Sequence, residues 1–479
     1  MVETDSHNDQ DVDIAVKTLE DSHDNGSIYD DEGRIRSDFR KTVGRALDSG
    51  NIDHLNGLVA ALHESEMGDL LESLKPRRRQ KLVEVLGDSF DFAALTEVDE
   101  AIRVEIVDYI PNKDVARRIG ELDSDDAVFI LEDLEASDRD AILAELPFIE
   151  RVRLRRSLEY PEDSAGRRMQ SEFVAVPPFW TVGQTIDYMR IDKDLPESFS
   201  QIFVIDATYK LVGSIDLDKI LRTKRQVRTE EILNDTIHPI PALMDQEEAA
   251  LVFEQYDLLS AAVIDHNERL VGVLTIDDVV DVIHEEAEED IKALAGVGDE
   301  ELSDNVFAAF RSRFAWLLIN LLTSIGASMV IGAFDATIQQ MVALAVLMPI
   351  VASMGGNAGT QTMTVTVRAL ATRDLDIYNT GRIIQREALV GAVNGVLFAA
   401  LIGVVAAFWF DNIDLGFVIG IAMIINMISA ALAGILLPLM LDKLGVDPAI
   451  SSTVFVTTVT DVVGFFAFLG LAGWWFSFL

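Results

Sequence analysis

The stretch Met354-Gly355-Gly356-Asn357-Ala358-Gly359-Thr360-Gln361-Thr362 places amides, hydroxyls and glycines inside a run of membrane-grade hydrophobicity. Hydrocarbon offers the backbone no hydrogen-bond partners. Polar, glycine-rich chain at that depth is tolerated only where protein buries it or water reaches it. Pro349 removes a backbone donor just upstream, and the sequence predicts an unwound segment there. A broken, polar segment in a spanning helix points to a solute pathway. Gly355 and Gly359 also fit a small-xxx-small helix crossing, but plain packing has no need of Asn357, Thr360, Gln361 and Thr362 together. Gly355, Gly356, Asn357, Gly359 and Gln361 are therefore candidate pore-lining residues. A second chemical group stands in Val459-Thr460-Asp461-Val462-Val463-Gly464, where Asp461 is the only acid deep in the apolar part of the chain. A carboxylate there costs several kcal/mol unless it is paired or wet, which makes it a functional candidate by default. Thr457 and Gly464, at i−4 and i+3, share its helix face and extend a small, polar stripe.

The elements that must position these groups follow from composition. The chain has 80 acidic and 39 basic residues, a formal charge of −41, and yet 49% hydrophobic residues. Charge and apolar residues must be segregated. From Glu301 onward there are 11 acids and 7 bases, which leaves 69 acids and 32 bases before it. The first part is soluble and very acidic, and the second is a membrane domain. Cysteine is absent, which excludes disulfides, thiolate metal sites and cysteine nucleophiles. The N-terminus has no basic patch followed by an apolar core, so no cleaved signal peptide is expected. Such acidity argues against nucleic acid, whose phosphates reward Lys and Arg. Cation binding and adaptation of the surface to a salty cytoplasm remain as explanations.

A membrane helix needs about 20 mostly apolar residues. Five spans are predicted, at about 313–334, 341–367, 388–410, 415–441 and 450–478. Arg311 and Arg313 precede the first, Arg368, Arg373, Arg382 and Arg386 follow the second, and Lys443 follows the fourth. With five spans these places fall on one side, while the other carries Asp335, Asp411 and Asp414 and no base. The positive-inside rule puts the N-terminal part in the cytoplasm and Leu479 outside the cell (inner) membrane. Asn394 and Asn426, lone amides in the third and fourth spans, read as interhelical hydrogen bonds.

The soluble half divides again. Residues 1–34 are rich in Asp, Asn, Ser and His and read as a disordered acidic tail. Residues 35–170 show apolar residues at spacings of three and four, as in Ile102, Ile106 and Ile110, broken at Pro111-Asn112 and Ser137-Asp138. They predict an all-α superhelical domain. Residues 171–278 contain an internal repeat with a constant offset of 59. Phe203-Val204-Ile205-Asp206 and Leu211-Val212-Gly213-Ser214-Ile215 match Ala262-Val263-Ile264-Asp265 and Leu270-Val271-Gly272-Val273-Leu274. This α/β repeat resembles a pair of CBS modules, which usually sense ligands. Residues 279–305 form an acidic connecting helix into the membrane domain, 306–479. On it Asp278, Asp281 and Glu285 share one face, continued by Glu288 and Glu289. Like charges at i,i+4 loosen a helix, and a divalent cation bridging them tightens it.

That domain order resembles the MgtE family of magnesium channels and transporters, over about residues 35–479. So do the 355–362 motif, Arg368-Ala369-Leu370-Ala371-Thr372-Arg373-Asp374-Leu375, Gly445-Val446-Asp447-Pro448-Ala449 and Asp461-Val462-Val463-Gly464. The resemblance implies a homodimer with an ion path on the two-fold axis, where the family's pore aspartate falls on Asp461. It implies regulatory Mg2+ sites at Asp245, Glu247 and Asp257 in the second CBS module. Further ones fall at Asp278, Asp281, Glu286, Glu289 and Asp290 on the connecting helix, and at Asp125 in the helical domain. The acid expected four residues after Asp125 is Phe129, with Asp126 and Glu132 as substitutes. Some family members also bind ATP in the CBS cleft.

The leading expectation is thus a Mg2+-selective channel-like transporter closed by cytosolic Mg2+. The alternatives are a broader path for Mn2+, Co2+ or Ni2+, and a membrane-anchored CBS sensor that does not conduct. Oxygen ligands without His or Cys favour Mg2+, and a mere anchor has no need of Asp461. An enzyme is not expected, because no nucleophile–base pair, phosphate-binding loop or thiolate cluster is evident.

Overall fold

The fold is that of a computed structural model describing residues 28–193, 195–196, 198–297, 306–373, 375, 380–451 and 453–476. The acidic tail up to residue 27, residues 298–305, Asp374 and Leu479, each part of an expectation above, lie outside the described residues. The chain divides into two compact units, Met1–Val280 and Asp281–Leu479.

In the first unit, helices of 8 to 13 residues run from Ser37–Ser49 to Phe148–Ser157. Turn chemistry keeps them short. Asn51 caps Ile52–Val59, Pro76 opens Pro76–Leu86, and Pro111 and Pro147 precede two others. Val43, Leu70, Leu82, Leu95, Ile106, Ile119 and Leu131 line one continuous apolar core. Tyr29 pairs with Ile35 and its hydroxyl donates to Asp69 (2.7 Å), which ties the segment before residue 35 to this domain.

The repeat folds into two three-stranded sheets. In the first, β1 (Ala175–Val176) lies parallel to β2 (Gln201–Ile205), which pairs antiparallel with β3 (Leu211–Asp216). In the second, β4 (Ile240–Pro241), β5 (Ser260–Ile264) and β6 (Leu270–Thr275) repeat that order. Even the register irregularity recurs, at Val204/Ile205 and Val263/Ile264. The two hairpins exchange backbone hydrogen bonds, Leu211 N–H to Glu268 and Leu270 N–H to Tyr209, and Phe203, Ala262, Leu270 and Val273 pack together. The helix Ile276–Ala295 leaves β6 directly.

Among the described residues, the second unit holds five helices long and apolar enough to span a membrane. They are Val306–Ala333, Ala343–Ala371, Thr380–Trp409, Ile413–Lys443 and Thr453–Trp475. The fourth is central: the second, third and fifth spans all pack on it, while the first packs on the fifth. One expectation is corrected here. The second span is helical through residues 354–362, and Pro349 is accommodated inside it. The glycines do not unwind the helix; they let its neighbours approach. A Cβ on Gly359 would lie 2.4 Å from Val456 Cγ1, and one on Gly434 would lie 2.6 Å from the Gly359 carbonyl oxygen. Between the third and fourth spans, a Cβ on Gly391 would lie 2.8 Å from that of Ala431. Small residues substitute here for the hydrophobic driving force that lipid cannot supply.

Overpacking a core of this kind costs about 1–3 kcal/mol. Gly359→Val should therefore lower the melting temperature of the detergent-solubilised chain clearly. Gly381→Ala, a position with open space around it, should leave it unchanged. Equal melting temperatures for the two variants would refute the close-packed arrangement.

Candidate functional site

On the second span, burial alternates with the helical period. Gly355, Gly356 and Gly359 are buried against the fourth and fifth spans, whereas Ser353, Asn357, Gln361 and Thr364 form a polar stripe on the open face. Of the candidate pore-lining residues on this span, Asn357 and Gln361 face out, and Gly355, Gly356 and Gly359 bring helices together. On the fifth span Asp461 is half-buried. Among the described residues no base pairs with it, so its carboxyl is left to water, a cation or a proton. One turn earlier Thr457 returns its hydroxyl to the Thr453 carbonyl (2.8 Å). Its methyl would meet a Cβ on Gly356 at 3.2 Å. Asn426 donates from Nδ2 to the Val351 carbonyl (2.8 Å), the interhelical bond its sequence context suggests.

The same unit contains the end of the connecting helix. Ala293 and Leu294 pack against Met363, Val367, Ala449 and Val456, where the second and fifth spans end. Asp290, also on this helix, has its carboxyl raised above the ordinary value by burial and then by the charge of Asp447. Asp447 itself accepts from the Ala449 N–H (2.8 Å), which fixes the turn before the fifth span. Glu288 pairs with Lys292 (3.0 Å), Glu286 is half-buried, and Asp281 and Glu289 are exposed.

In the first unit, acids from two elements face each other. Asp125 and Asp126 open the helix Ser124–Glu132, and Asp277 and Asp278 open Ile276–Ala295. Burial, then the charge of Asp278, holds Asp125 well above the usual carboxylate range. Asp126 is raised to about 7 by burial and then by Asp123, Glu64 and Asp277. Burial also raises Asp278 to about 7, against the opposing hydrogen bond from the Thr275 hydroxyl. Phe129 lies under the Arg103 guanidinium at 4.1 Å and the Arg168 guanidinium at 5.4 Å, where the family pattern has an acid. Glu132 is engaged by Arg167 (3.6 Å), which leaves Asp126 as the substitute that faces the connecting helix.

Asp245 and Asp257 stand at opposite ends of the helix Gln246–Tyr256. An eleven-residue helix is about 16 Å long, so the two cannot share one ion within a single chain. Asp245 accepts from the Glu247 N–H (2.9 Å), and Asp257 has a left-handed backbone with φ 52°. Among the described residues no three His, Cys, Asp or Glu side chains converge tightly enough to hold a bare metal ion. What the acids opening Ser124–Glu132 and Ile276–Ala295 do supply is like charge at short range, suited to a cation that keeps its waters. Between the CBS sheets lies a small cleft of about 40 Å³, bordered by Ser214, Thr236, His238 and Ser260, with His238 stacked on Tyr256 at 3.6 Å. Its lining offers hydroxyls and an imidazole, and among the described residues no Lys or Arg borders it.

Three family models match the chain: "Divalent cation transporter" over residues 348–471, "MgtE intracellular N domain" over 62–163, and "CBS domain" over 230–285. The magnesium transporter MgtE of Thermus thermophilus is 31% identical over 438 residues, covering 90% of this chain and 97% of that protein. The chain belongs to the MgtE family. The MgtE protein of Enterococcus faecalis is 35% identical over 315 residues, covering 66% of this chain and 70% of that protein. Among solved structures, the cytosolic domain of the Mg2+ channel MgtE in complex with ATP is 26% identical. It covers 51% of this chain and 99% of that one, with a TM-score of 0.48. This MgtE chain is thus a multidomain membrane protein of a magnesium-transporter family.

Asp126 and Asp278 have folded-state values near 7, above the 3.8 of an ordinary aspartate. Their repulsion is absent at low pH, grows as pH rises through this interval and is complete above it. Backbone amides of 124–132 should exchange more slowly at about pH 6 than at about pH 8, after correction for intrinsic rates. Mg2+ at the higher pH should restore the protection, and Asp126→Asn should shrink the difference. Protection indifferent to pH and Mg2+ would show these acids to be merely solvated.

Proposed function

We propose that this chain is a Mg2+-selective, channel-like transporter that moves magnesium into the cytoplasm as a homodimer. The path runs on the dimer axis, where Asp461 of each copy and the stripe of Asn357 and Gln361 meet a hydrated ion. The observation that carries this reading is the pairing of two unsatisfied features in one unit. Among the described residues Asp461 is half-buried with no ion-pair partner, and the second span has a polar face that no helix covers. A second copy closing those faces together makes a wet, acid-lined passage. Mg2+ sheds its water reluctantly, so a few carboxylates and amides acting through that water suit it better than a tight cage. The arginines between the second and third spans, with Arg311, Arg313 and Lys443, orient the acidic units toward the cytoplasm.

Closure follows from the acids outside the membrane. Cytosolic Mg2+ at Asp125, Asp126, Asp277 and Asp278, at Asp245, Glu247 and Asp257, and at Asp281, Glu286, Glu289 and Asp290 neutralises like charge. It thereby holds the connecting helix in its closed position. Loss of Mg2+ restores repulsion and opens the path. Shifting a closed–open ratio from 1:99 to 99:1 needs about 5.5 kcal/mol of differential binding. One weak site does not supply that, so several sites must act together and inhibition must be steep.

Asp461→Ala should lower Mg2+ uptake into proteoliposomes by about tenfold or more, a loss of ~1.4 kcal/mol or more in ion stabilisation, with the dimer still monodisperse. Uptake close to wild type would remove Asp461 from the path. Mn2+ or Co2+ flux equal to that of Mg2+ would turn the reading to a general divalent path.

A further inference from the structure

Asn426 is fully buried in the fourth span, at the meeting point of the second, fourth and fifth spans. Two glycines make room for it. A Cβ on Gly355 would lie 2.2 Å from Asn426 Nδ2. One on Gly464 would lie 2.8 Å from Nδ2 and 3.2 Å from Oδ1. Those glycines belong to the spans that carry the two groups of the path. Gly355 is two residues from Asn357, and Gly464 is three from Asp461, each within one helical turn.

The amide is not explained by stability. Nδ2 donates to the Val351 carbonyl at 2.8 Å, but Oδ1 is buried with no hydrogen-bond partner. A half-satisfied amide is a worse core residue than an apolar side chain of the same volume. What the amide provides and leucine does not is a directional bond. It pins the fourth span to one carbonyl, one turn before Gly355, and so fixes both the register and the separation of the helices around it.

We propose that Asn426 is a positioning residue for the ion path. Through its bond to Val351 and its fit between Gly355 and Gly464, it sets the spacing between the Asn357 face and Asp461. It thereby sets the size of the hydrated cation those groups accept. The inference rests on the reading of Asn357 and Asp461 as path residues. Asn426 touches the two helices and acts on the ion through them. A path that holds a cation through its waters discriminates by the distance between fixed dipoles, so a small change in helix spacing appears as altered affinity and selectivity.

The test uses the full chain in proteoliposomes, comparing wild type, Asn426→Leu, Asn426→Ala and Asp461→Asn. Melting temperature, half-saturating Mg2+ and the Mg2+ to Mn2+ flux ratio are read for each. Asn426→Leu is expected to keep the melting temperature at or above that of wild type. Its half-saturating Mg2+ should rise about tenfold, and its preference for Mg2+ over Mn2+ should fall. Where the leucine variant fails to fold, the alanine variant is judged by the same two transport readings. A lower melting temperature with unchanged half-saturation and flux ratio would make Asn426 a purely structural bond and overturn the proposal. Because Asp461→Asn is measured alongside, the two ideas separate. Loss of transport in that variant with unaltered Asn426 variants defeats only the positioning role. Normal transport in Asp461→Asn defeats the path reading itself, and the proposal with it.

Discussion

Carboxylates that face one another with no base between them hold a repulsion that only a cation or a proton relieves. That constraint recurs through this chain. Asp125 and Asp126 oppose Asp277 and Asp278 in the first unit. Asp290 opposes Asp447 in the second, and Asp461 stands unpaired in the fifth span. A salt-adapted surface spreads its acids and lets water solvate them. These are different: at Asp125, Asp126, Asp278 and Asp290 burial and neighbouring acids hold the carboxyls above the ordinary range. In the proposed reading a divalent ion relieves this repulsion, so that the transported species and the regulator are the same substance.

Bistability needs a rigid frame around the charges, and the membrane domain supplies one by removing side chains. Glycine at 355, 359, 391 and 434 lets the second and third spans approach the fourth and fifth closely. In the first unit the frame is made of paired bases. Phe129 sits between Arg103 and Arg168, Arg167 engages Glu132, and Ser124 bonds Ser171. These two cation–π contacts hold the domain without an ion.

Much of this was legible before any coordinates. The offset of 59 residues revealed both CBS sheets, because the same alternation of apolar residues builds the same hairpin, register irregularity included. The spans were legible from hydropathy, and Asn426 from being an amide where none is needed. The state of residues 354–362 was not. Glycine, proline and amides signal unwinding and close packing alike. Only the partners, Val456, Ala430 and Asn426, decide for packing. The apposition of Asp126 with Asp277 was illegible for a different reason: it joins distant segments of one unit, and no local periodicity encodes it. Phe129 read as a missing ligand because its role depends on two arginines elsewhere in the chain.

The central claim is that mutual repulsion of cytosolic carboxylates opens the path and Mg2+ closes it. The most direct measurement is Mg2+ flux through the purified chain in proteoliposomes as Mg2+ on the cytosolic side is varied at constant high K+. Wild type and Asp278→Asn/Asp281→Asn are compared. The account predicts steep closure in the wild type, and a curve displaced to higher Mg2+ and flattened in the double variant. Superimposable curves, or flux indifferent to cytosolic Mg2+, would contradict it.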